Sequence, residues 1–78
     1  MKTLTLYTKP ECHLCHEAER VLRALQQEIP FELVLQDITE DQELFEKYHD
    51  AIPVVLCDGR ELCRYHVDAE RVRCALTS

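Results

Sequence analysis

The segment that decides the fold is Tyr7-Thr8-Lys9-Pro10-Glu11-Cys12-His13-Leu14-Cys15-His16, because a strand ends and a helix begins within it. The alternation from Thr3 to Tyr7 is typical of a strand, and Pro10 interrupts the chain after it. From Cys12 to about Gln27 the apolar residues recur at helical spacing. Cys12 and Cys15 therefore stand at the start of a predicted helix, a context that favours redox chemistry for the two thiols.

The middle of the chain predicts a second strand followed by a short helix. Phe31 to Gln36 alternates apolar and polar residues, which indicates the strand. Thr39 and Gln42 have the spacing of a capping box, so we expect Thr39 to begin the helix. The apolar residues that this helix would turn toward the core are Leu44, Phe45 and Tyr48.

The last part of the chain predicts a hairpin and a final helix. Val54 to Cys57 is apolar and largely β-branched, and Asp58-Gly59 then supplies a tight turn into a strand from Arg60 to Tyr65. Asp68 can cap the last helix, on which we expect Cys74 to pack inward.

These elements follow the order β-α-β-α-β-β-α, which is an α/β fold. The strand-helix-strand unit predicts a parallel pair and the hairpin an antiparallel pair, so we expect a four-stranded mixed sheet flanked by helices. A two-residue turn would pair Cys57 with Arg60 and Cys63 with Val54. The side chains of Cys57 and Cys63 would then point to opposite faces of the sheet.

Composition narrows the class of protein. The chain has 78 residues, of which 46% are hydrophobic, so we expect residues 1–78 to form one domain. A net charge of −6 argues against nucleic acid or an anionic membrane as a partner. No stretch has the pattern of a signal peptide or the length of a membrane span, and five cysteines is an odd count for a disulfide framework. We therefore expect a cytoplasmic protein, in a compartment that keeps thiols reduced.

The order of elements, Cys12-x-x-Cys15 at a helix start, and Ile52-Pro53-Val54 opening the third strand together resemble the thioredoxin fold. Within that fold the chain is similar to the glutaredoxins and to the small glutaredoxin-like proteins of bacteria, over essentially its whole length. The resemblance implies that Pro53, after Ile52, is cis and packs against the dithiol. It also implies a supporting role for Lys9, which holds the place of a lysine that commonly precedes the first cysteine in glutaredoxins.

The chain departs from glutaredoxins in two places. His13-Leu14 stands where dithiol glutaredoxins usually have proline-tyrosine. Arg64-Tyr65-His66, ahead of Asp68, stands roughly where that family has the glycine pair that lets glutathione approach the backbone. By this comparison the substrate groove would involve His13, Leu14, Tyr65, His66 and Asp68. Bulky side chains there can close the groove to glutathione. Whether glutathione is a substrate therefore stays an open question, whereas the dithiol chemistry does not depend on glutathione.

The function we expect is dithiol thiol–disulfide oxidoreduction. Free N–H groups at the helix start and the charge of Lys9 favour the thiolate form of Cys12, whereas Glu11 opposes it. Cys12 would attack a disulfide in a protein or small-thiol substrate, and Cys15 would resolve the mixed disulfide. The electron donor would be a reductase or glutathione. We expect a monomer with no cofactor beyond the redox-active Cys12–Cys15 disulfide.

Three other functions stay open. One alternative is a zinc site with four ligands from two parts of the chain, namely Cys12, Cys15, Cys63 and His66. The rise along a strand, however, would place Cys63 about 10 Å below His66. An iron–sulfur cluster held by Cys12 and glutathione is a second metal-binding alternative. A non-catalytic module that binds a partner or senses redox state is the third. The literal haem-attachment pattern Cys12-x-x-Cys15-His16 lacks the export signal that haem attachment would need.

Overall fold

A computed structural model describes residues 1–77, so Ser78, the last residue of the predicted domain 1–78, lies outside the described residues. The elements follow the predicted order, with one added 3₁₀ turn. They are β1 (Thr3–Thr8), α1 (His13–Glu28), β2 (Glu32–Asp37), the 3₁₀ turn (Ile38–Glu40), α2 (Gln42–Tyr48), β3 (Val54–Cys57), β4 (Arg60–Arg64) and α3 (Ala69–Thr77). Along residues 1–77, none of the helices combines the length and the apolar character needed to cross a membrane.

The four strands form one mixed sheet in the order β2-β1-β3-β4. β1 runs parallel to β2, with Leu4 opposite Leu33, and antiparallel to β3, with Leu6 opposite Val55. β3 and β4 form the predicted antiparallel hairpin. The expected four-stranded mixed sheet is therefore confirmed, with the N-terminal strand β1 at its centre.

The sheet separates two clusters of buried side chains. The α1/α3 cluster contains Leu4, Leu6, Ala18, Leu22, Leu25, Phe31, Val55, Leu62, Cys63 and Val72. The α2 cluster contains Cys15, Ile38, Tyr48, Ala51, Ile52, Val54 and Leu56, with Tyr7, Cys12 and Leu44 packed against it. Side chains alternate along a strand, so β1 gives Leu4 and Leu6 to the first cluster and Tyr7 to the second. Cys15 belongs to the α2 cluster although it lies on α1, which places the start of α1 at the junction of the two.

The hairpin register differs from the prediction. Cys57 pairs with Arg60 as expected, but Cys63 pairs with Val55 rather than Val54, because Leu62 is an extra residue in β4. This bulge turns Leu62 and Cys63 toward the same cluster. Cys57 packs against that cluster too, so the prediction that Cys57 and Cys63 point to opposite faces is wrong. Both thiols are free.

The start of α2 also differs from the prediction. The carboxylate of Asp41, not Thr39, caps α2, accepting hydrogen bonds from the N–H groups of Glu43 at 3.0 Å and Leu44 at 3.3 Å. Thr39 lies in the preceding 3₁₀ turn, where its N–H and hydroxyl donate to the Asp37 carboxylate.

Two side chains expected in the core lie at the surface. Leu44 and Tyr48, four residues apart, share the inner face of α2, but Phe45 follows Leu44 by about 100° and turns outward. Phe45 is 41% exposed and its ring lies 5.5 Å from that of His49. Cys74 is likewise exposed on α3 rather than packed.

Replacement of Leu22 by alanine tests the α1/α3 cluster. Leu22 is fully buried, so Leu22→Ala should lower the free energy of unfolding by about 2–5 kcal/mol, through lost burial and the cavity left behind. Leu35 is 41% exposed on the edge strand β2, so Leu35→Ala makes the same chemical change at a cost of about 1 kcal/mol or less. Urea denaturation of both variants measures the difference. Equal losses would contradict the assignment of Leu22 to the core.

Candidate active site

The centre of the candidate site is a disulfide between Cys12 and Cys15, whose Cα atoms are 5.2 Å apart. Cys12 is the N-cap of α1 and has extended backbone angles, and its sulfur accepts a hydrogen bond from the Cys15 N–H at 3.2 Å. The Cys12 carbonyl accepts from the His16 N–H at 3.1 Å, which begins the helical pattern. The Cys12 sulfur therefore lies where the N–H groups of the first turn converge and where the helix dipole is positive.

The two cysteines differ in exposure. Cys15 is 1% exposed and belongs to the α2 cluster, whereas Cys12 is only partly buried at the edge of that cluster. Cys12 is therefore the more accessible of the two cysteines to a substrate arriving from solvent. This asymmetry is what an attacking thiol and a resolving thiol require.

The loop between α2 and β3 packs against the two cysteines. The peptide bond between Ile52 and Pro53 is cis, as the resemblance implied, and Pro53 is fully buried. Ala51 and Ile52 pack in the same cluster as Cys15, with Cys12 against it. The fold thus brings the Ile52-Pro53 motif and the dithiol together from distant parts of the chain.

The residue after β4 connects to this loop through its backbone. The N–H of Tyr65 donates to the carbonyls of Pro53 at 2.9 Å and Ala51 at 3.1 Å. Tyr65 adopts φ 67°, in the left-handed region, and its side chain is 50% exposed.

Three of the predicted groove residues line one groove. Leu14, Tyr65 and His66 line a groove with a volume of about 180 Å³ between α1 and the segment that follows β4. The other lining residues are Glu17, Ala18, Val21 and Val67. Leu14 lies between the two cysteines in the sequence, so one lining residue of this groove is adjacent in the chain to the dithiol.

The other two predicted groove residues lie elsewhere. His13 is exposed at the first position of α1 and does not line the groove. Asp68 caps α3 as predicted, because its carboxylate accepts from the N–H groups of Glu70 at 3.1 Å and Arg71 at 3.2 Å. Asp68 lines a separate groove, of which His66 is also a lining residue.

The charges near Cys12 are exposed. Lys9 and Glu11 both lie in the loop between β1 and α1, and Glu11 has φ 61°. Because solvent screens exposed charges, their opposite effects on a Cys12 thiolate are smaller than that of the helix N–H groups.

A second charged pair lies near the end of β4. The guanidinium of Arg64 donates to the Glu61 carboxylate at 3.2 Å and holds the pKa of that carboxyl below its ordinary value. The Arg64 guanidinium also lies 5.9 Å from the ring of Tyr48. These contacts hold Arg64 on the α2 side of the sheet.

An aromatic pair packs in the same cluster as the disulfide and was not among the predicted site residues. The rings of Tyr7 and Tyr48 lie 4.9 Å apart in the α2 cluster, against which Cys12 also packs. Alternation along β1 puts the side chain of Tyr7 on the other face of the sheet from those of Leu4 and Leu6, and this pattern is visible in the sequence. Its partner Tyr48 could not be found that way, because the contact joins separate elements.

The donor set of the zinc alternative does not come together. Cys63 lies in the α1/α3 cluster, whereas Cys15 lies in the α2 cluster across the sheet. Among residues 1–77, no three His, Cys, Asp or Glu side chains are placed to hold a metal ion. The predicted Cys12, Cys15, Cys63 and His66 set therefore does not fit a tetrahedral zinc site.

The sheet order, the dithiol at the start of α1 and the cis-proline before β3 define a thioredoxin-fold protein. The fold is shared with a mutant thioredoxin from Halobacterium salinarum, at a TM-score of 0.68, 19% identity, and coverage of 96% of this chain and 71% of that one. Within this class the chain belongs to the glutaredoxin-like domain family (DUF836), whose family model matches residues 3–77.

Proteins similar to this chain come from several bacteria. An uncharacterized protein of Mycobacterium tuberculosis is 33% identical over 87% of this chain and 75% of its own length. The solution structure of protein Ne2328 from Nitrosomonas europaea has a TM-score of 0.86 and 34% identity, covering 96% of this chain and 91% of that one. The X-ray structure of a protein from X. campestris has a TM-score of 0.71 and 37% identity, covering 95% of each chain. The fold and the Cys12–Cys15 disulfide are consistent with a redox function.

Replacement of Asp68 tests its role as a helix cap. Asp68→Ala removes the acceptor for two N–H groups of α3 and should lower the free energy of unfolding by about 1 kcal/mol. Asp68→Asn retains an acceptor oxygen and should keep most of the stability. Urea denaturation measures both. If the asparagine variant lost as much as the alanine variant, capping would not be the main role of this side chain.

Proposed function

We propose that the protein is a dithiol thiol–disulfide oxidoreductase that exchanges its Cys12–Cys15 disulfide with disulfides in proteins or small molecules. The observation that carries the proposal is the position of this pair. Cys12, the more exposed of the two residues, accepts a hydrogen bond at its sulfur from the Cys15 N–H at the start of α1, and Cys15 is buried.

The first step forms a mixed disulfide. In the reduced protein, the Cys12 thiolate attacks one sulfur of the substrate disulfide. The substrate S–S bond breaks, and its other sulfur leaves with the bonding electron pair and takes up a proton. Hydrogen bonding from the Cys15 N–H and the positive end of the α1 dipole favour the thiolate that this step needs.

The second step releases the substrate. Cys15 loses its proton and attacks the Cys12 sulfur, and the bond from Cys12 to the substrate breaks. The second substrate sulfur leaves as a thiolate and is protonated. The substrate has then gained two electrons and two protons, and the protein holds the Cys12–Cys15 disulfide. A thiol reductant, either a reductase or glutathione, returns the two electrons by the reverse exchange.

The residues around the pair support this chemistry by position. Ile52 packs in the same cluster as Cys15, the cis bond joins it to Pro53, and Lys9 adds a positive charge in the loop that precedes Cys12. The reaction uses no cofactor beyond the disulfide itself. The free thiols of Cys57, Cys63 and Cys74 suit a reducing compartment, which supports the cytoplasm as the place of action, with the protein acting there as a monomer.

Serine variants separate the roles of the two cysteines. Cys12→Ser should reduce the exchange rate with a fluorescent peptide disulfide to the uncatalysed rate, because the nucleophile is gone. Cys15→Ser should accumulate the mixed disulfide at Cys12, which mass spectrometry detects. Cys74→Ser is the matched control, since Cys74 is exposed but lies on α3, and it should leave the rate unchanged.

Two outcomes would count against the proposal. Full activity in Cys12→Ser would mean that the nucleophile is another thiol. Absence of exchange by the wild-type protein with every disulfide tested would favour a non-catalytic module and overturn the proposal.

The pH dependence of alkylation tests the helix effect on Cys12. In reduced Cys15→Ser protein, the rate at which iodoacetamide modifies Cys12 should rise with pH through a midpoint below that of a free cysteine. The reason is that N–H groups at a helix start stabilise the thiolate. Cysteine in a short unstructured peptide serves as the reference. A midpoint at or above the reference would show that the helix start does not activate this thiol.

A further inference from the structure

Tyr65 has a backbone conformation that its side chain does not favour. Its φ of 67° lies in the left-handed region, which glycine adopts freely and which is an outlier for a bulky residue. The contacts that this conformation serves are made by the backbone N–H, which donates to the Pro53 and Ala51 carbonyls. Glycine would make the same two hydrogen bonds without strain.

The tyrosine ring is not needed for packing either. Tyr65 is 50% exposed and belongs to neither the α1/α3 cluster nor the α2 cluster. Beside it in the groove, Leu14 is 48% exposed. A strained backbone at a residue whose side chain is exposed indicates a role other than folding. Two large, largely apolar side chains that face solvent near a disulfide indicate a contact with substrate.

The groove between these two side chains has a restricted size. Its volume of about 180 Å³ lies below the range of about 300–1,000 Å³ that is typical of sites enclosing a whole small molecule. A single side chain therefore fits this groove better than the whole tripeptide glutathione does.

The charge of the groove leads to the same choice. Five of its lining residues are apolar or aromatic, and the described lining includes Glu17 but neither lysine nor arginine. The nearby Arg64 is engaged by Glu61 and lies toward Tyr48. The carboxylates of glutathione would find no permanent cation there, whereas an apolar side chain would find an apolar wall.

We propose that Tyr65 is a specificity-determining residue that, with Leu14, receives one apolar side chain of a substrate peptide. This inference rests on the thiol–disulfide exchange proposed above and names its substrate class. Leu14 lies between the two cysteines in the sequence. The Tyr65 backbone is hydrogen-bonded to the loop between α2 and β3, which packs against them. A residue adjacent to the substrate cysteine therefore reaches the groove while that cysteine is bonded to Cys12. The preferred substrates are protein disulfides flanked by a large apolar residue, and glutathione disulfide is a poor one.

The test compares exchange rates for matched substrates. Two peptide disulfides differ only in the residue next to one cysteine, leucine in one and serine in the other, and glutathione disulfide is the third substrate. Dithiothreitol supplies the electrons. The wild-type protein should prefer the leucine peptide by about tenfold in kcat/KM, the scale on which an apolar pocket discriminates, and should react slowest with glutathione disulfide.

Variants of Tyr65 assign this preference to its ring. Tyr65→Gly and Tyr65→Asn both suit a left-handed backbone, so both should fold, which circular dichroism checks. Each should reduce the preference to about twofold or less, whereas Tyr65→Phe should retain it. Phe45→Ala is the matched control, because Phe45 is another exposed aromatic residue, on α2, and it should leave the preference unchanged.

The outcomes separate the two proposals. If Tyr65→Gly lowered both peptide rates equally, Tyr65 would have only a structural role and this inference would fail. Equal wild-type rates for both peptides, or a faster reaction with glutathione disulfide, would overturn the substrate class but keep the oxidoreductase. Wild-type protein that exchanges with none of the three substrates would overturn both.

Discussion

The hydrogen bond from the Cys15 N–H to the Cys12 sulfur is the contact on which the site depends. A helix start leaves several N–H groups without partners, and serine, threonine, aspartate or asparagine usually supplies the acceptor. Here the N-cap of α1 is Cys12, and the acceptor is its sulfur, at 3.2 Å. The atom that caps the helix is therefore also the proposed nucleophile. A sulfur is a weak hydrogen-bond acceptor when neutral and a strong one as a thiolate. The hydrogen bond that caps α1 therefore also stabilises the thiolate form of Cys12.

The position of α1 follows from the centre of the sheet. β1 pairs with both β2 and β3, and the loop after it leads directly into Cys12. Antiparallel pairing of β3 with β1 brings the preceding loop, with Ile52 and Pro53, to the same edge. Tyr65 then ties the end of β4 to this loop through two backbone hydrogen bonds. Three chain segments distant in sequence thereby meet at the end of the sheet where the disulfide lies.

The same arrangement separates the cysteines by role. Cys12 and Cys15 lie on the α2 side of the sheet, whereas Cys57 and Cys63 pack toward α1 and α3. The sheet stands between these two groups, so thiol exchange between them is hindered while the protein is folded. The separation also accounts for the failure of the four predicted zinc ligands to converge, and it leaves the dithiol as a self-contained pair.

The sequence by itself determined the order of the elements, the strand-to-helix position of Cys12 and Cys15, and the cap at Asp68, because each depends on residues within one or two turns of chain. The resemblance to glutaredoxins added the cis bond before Pro53. Only the tertiary structure decided the bulge at Leu62, the use of Asp41 rather than Thr39 as a cap, and the outward position of Phe45. It also left His13 and Asp68 outside the groove that Leu14 and Tyr65 line. Local periodicity specifies which face of an element is apolar, but register and proximity are settled by packing between elements far apart in the chain.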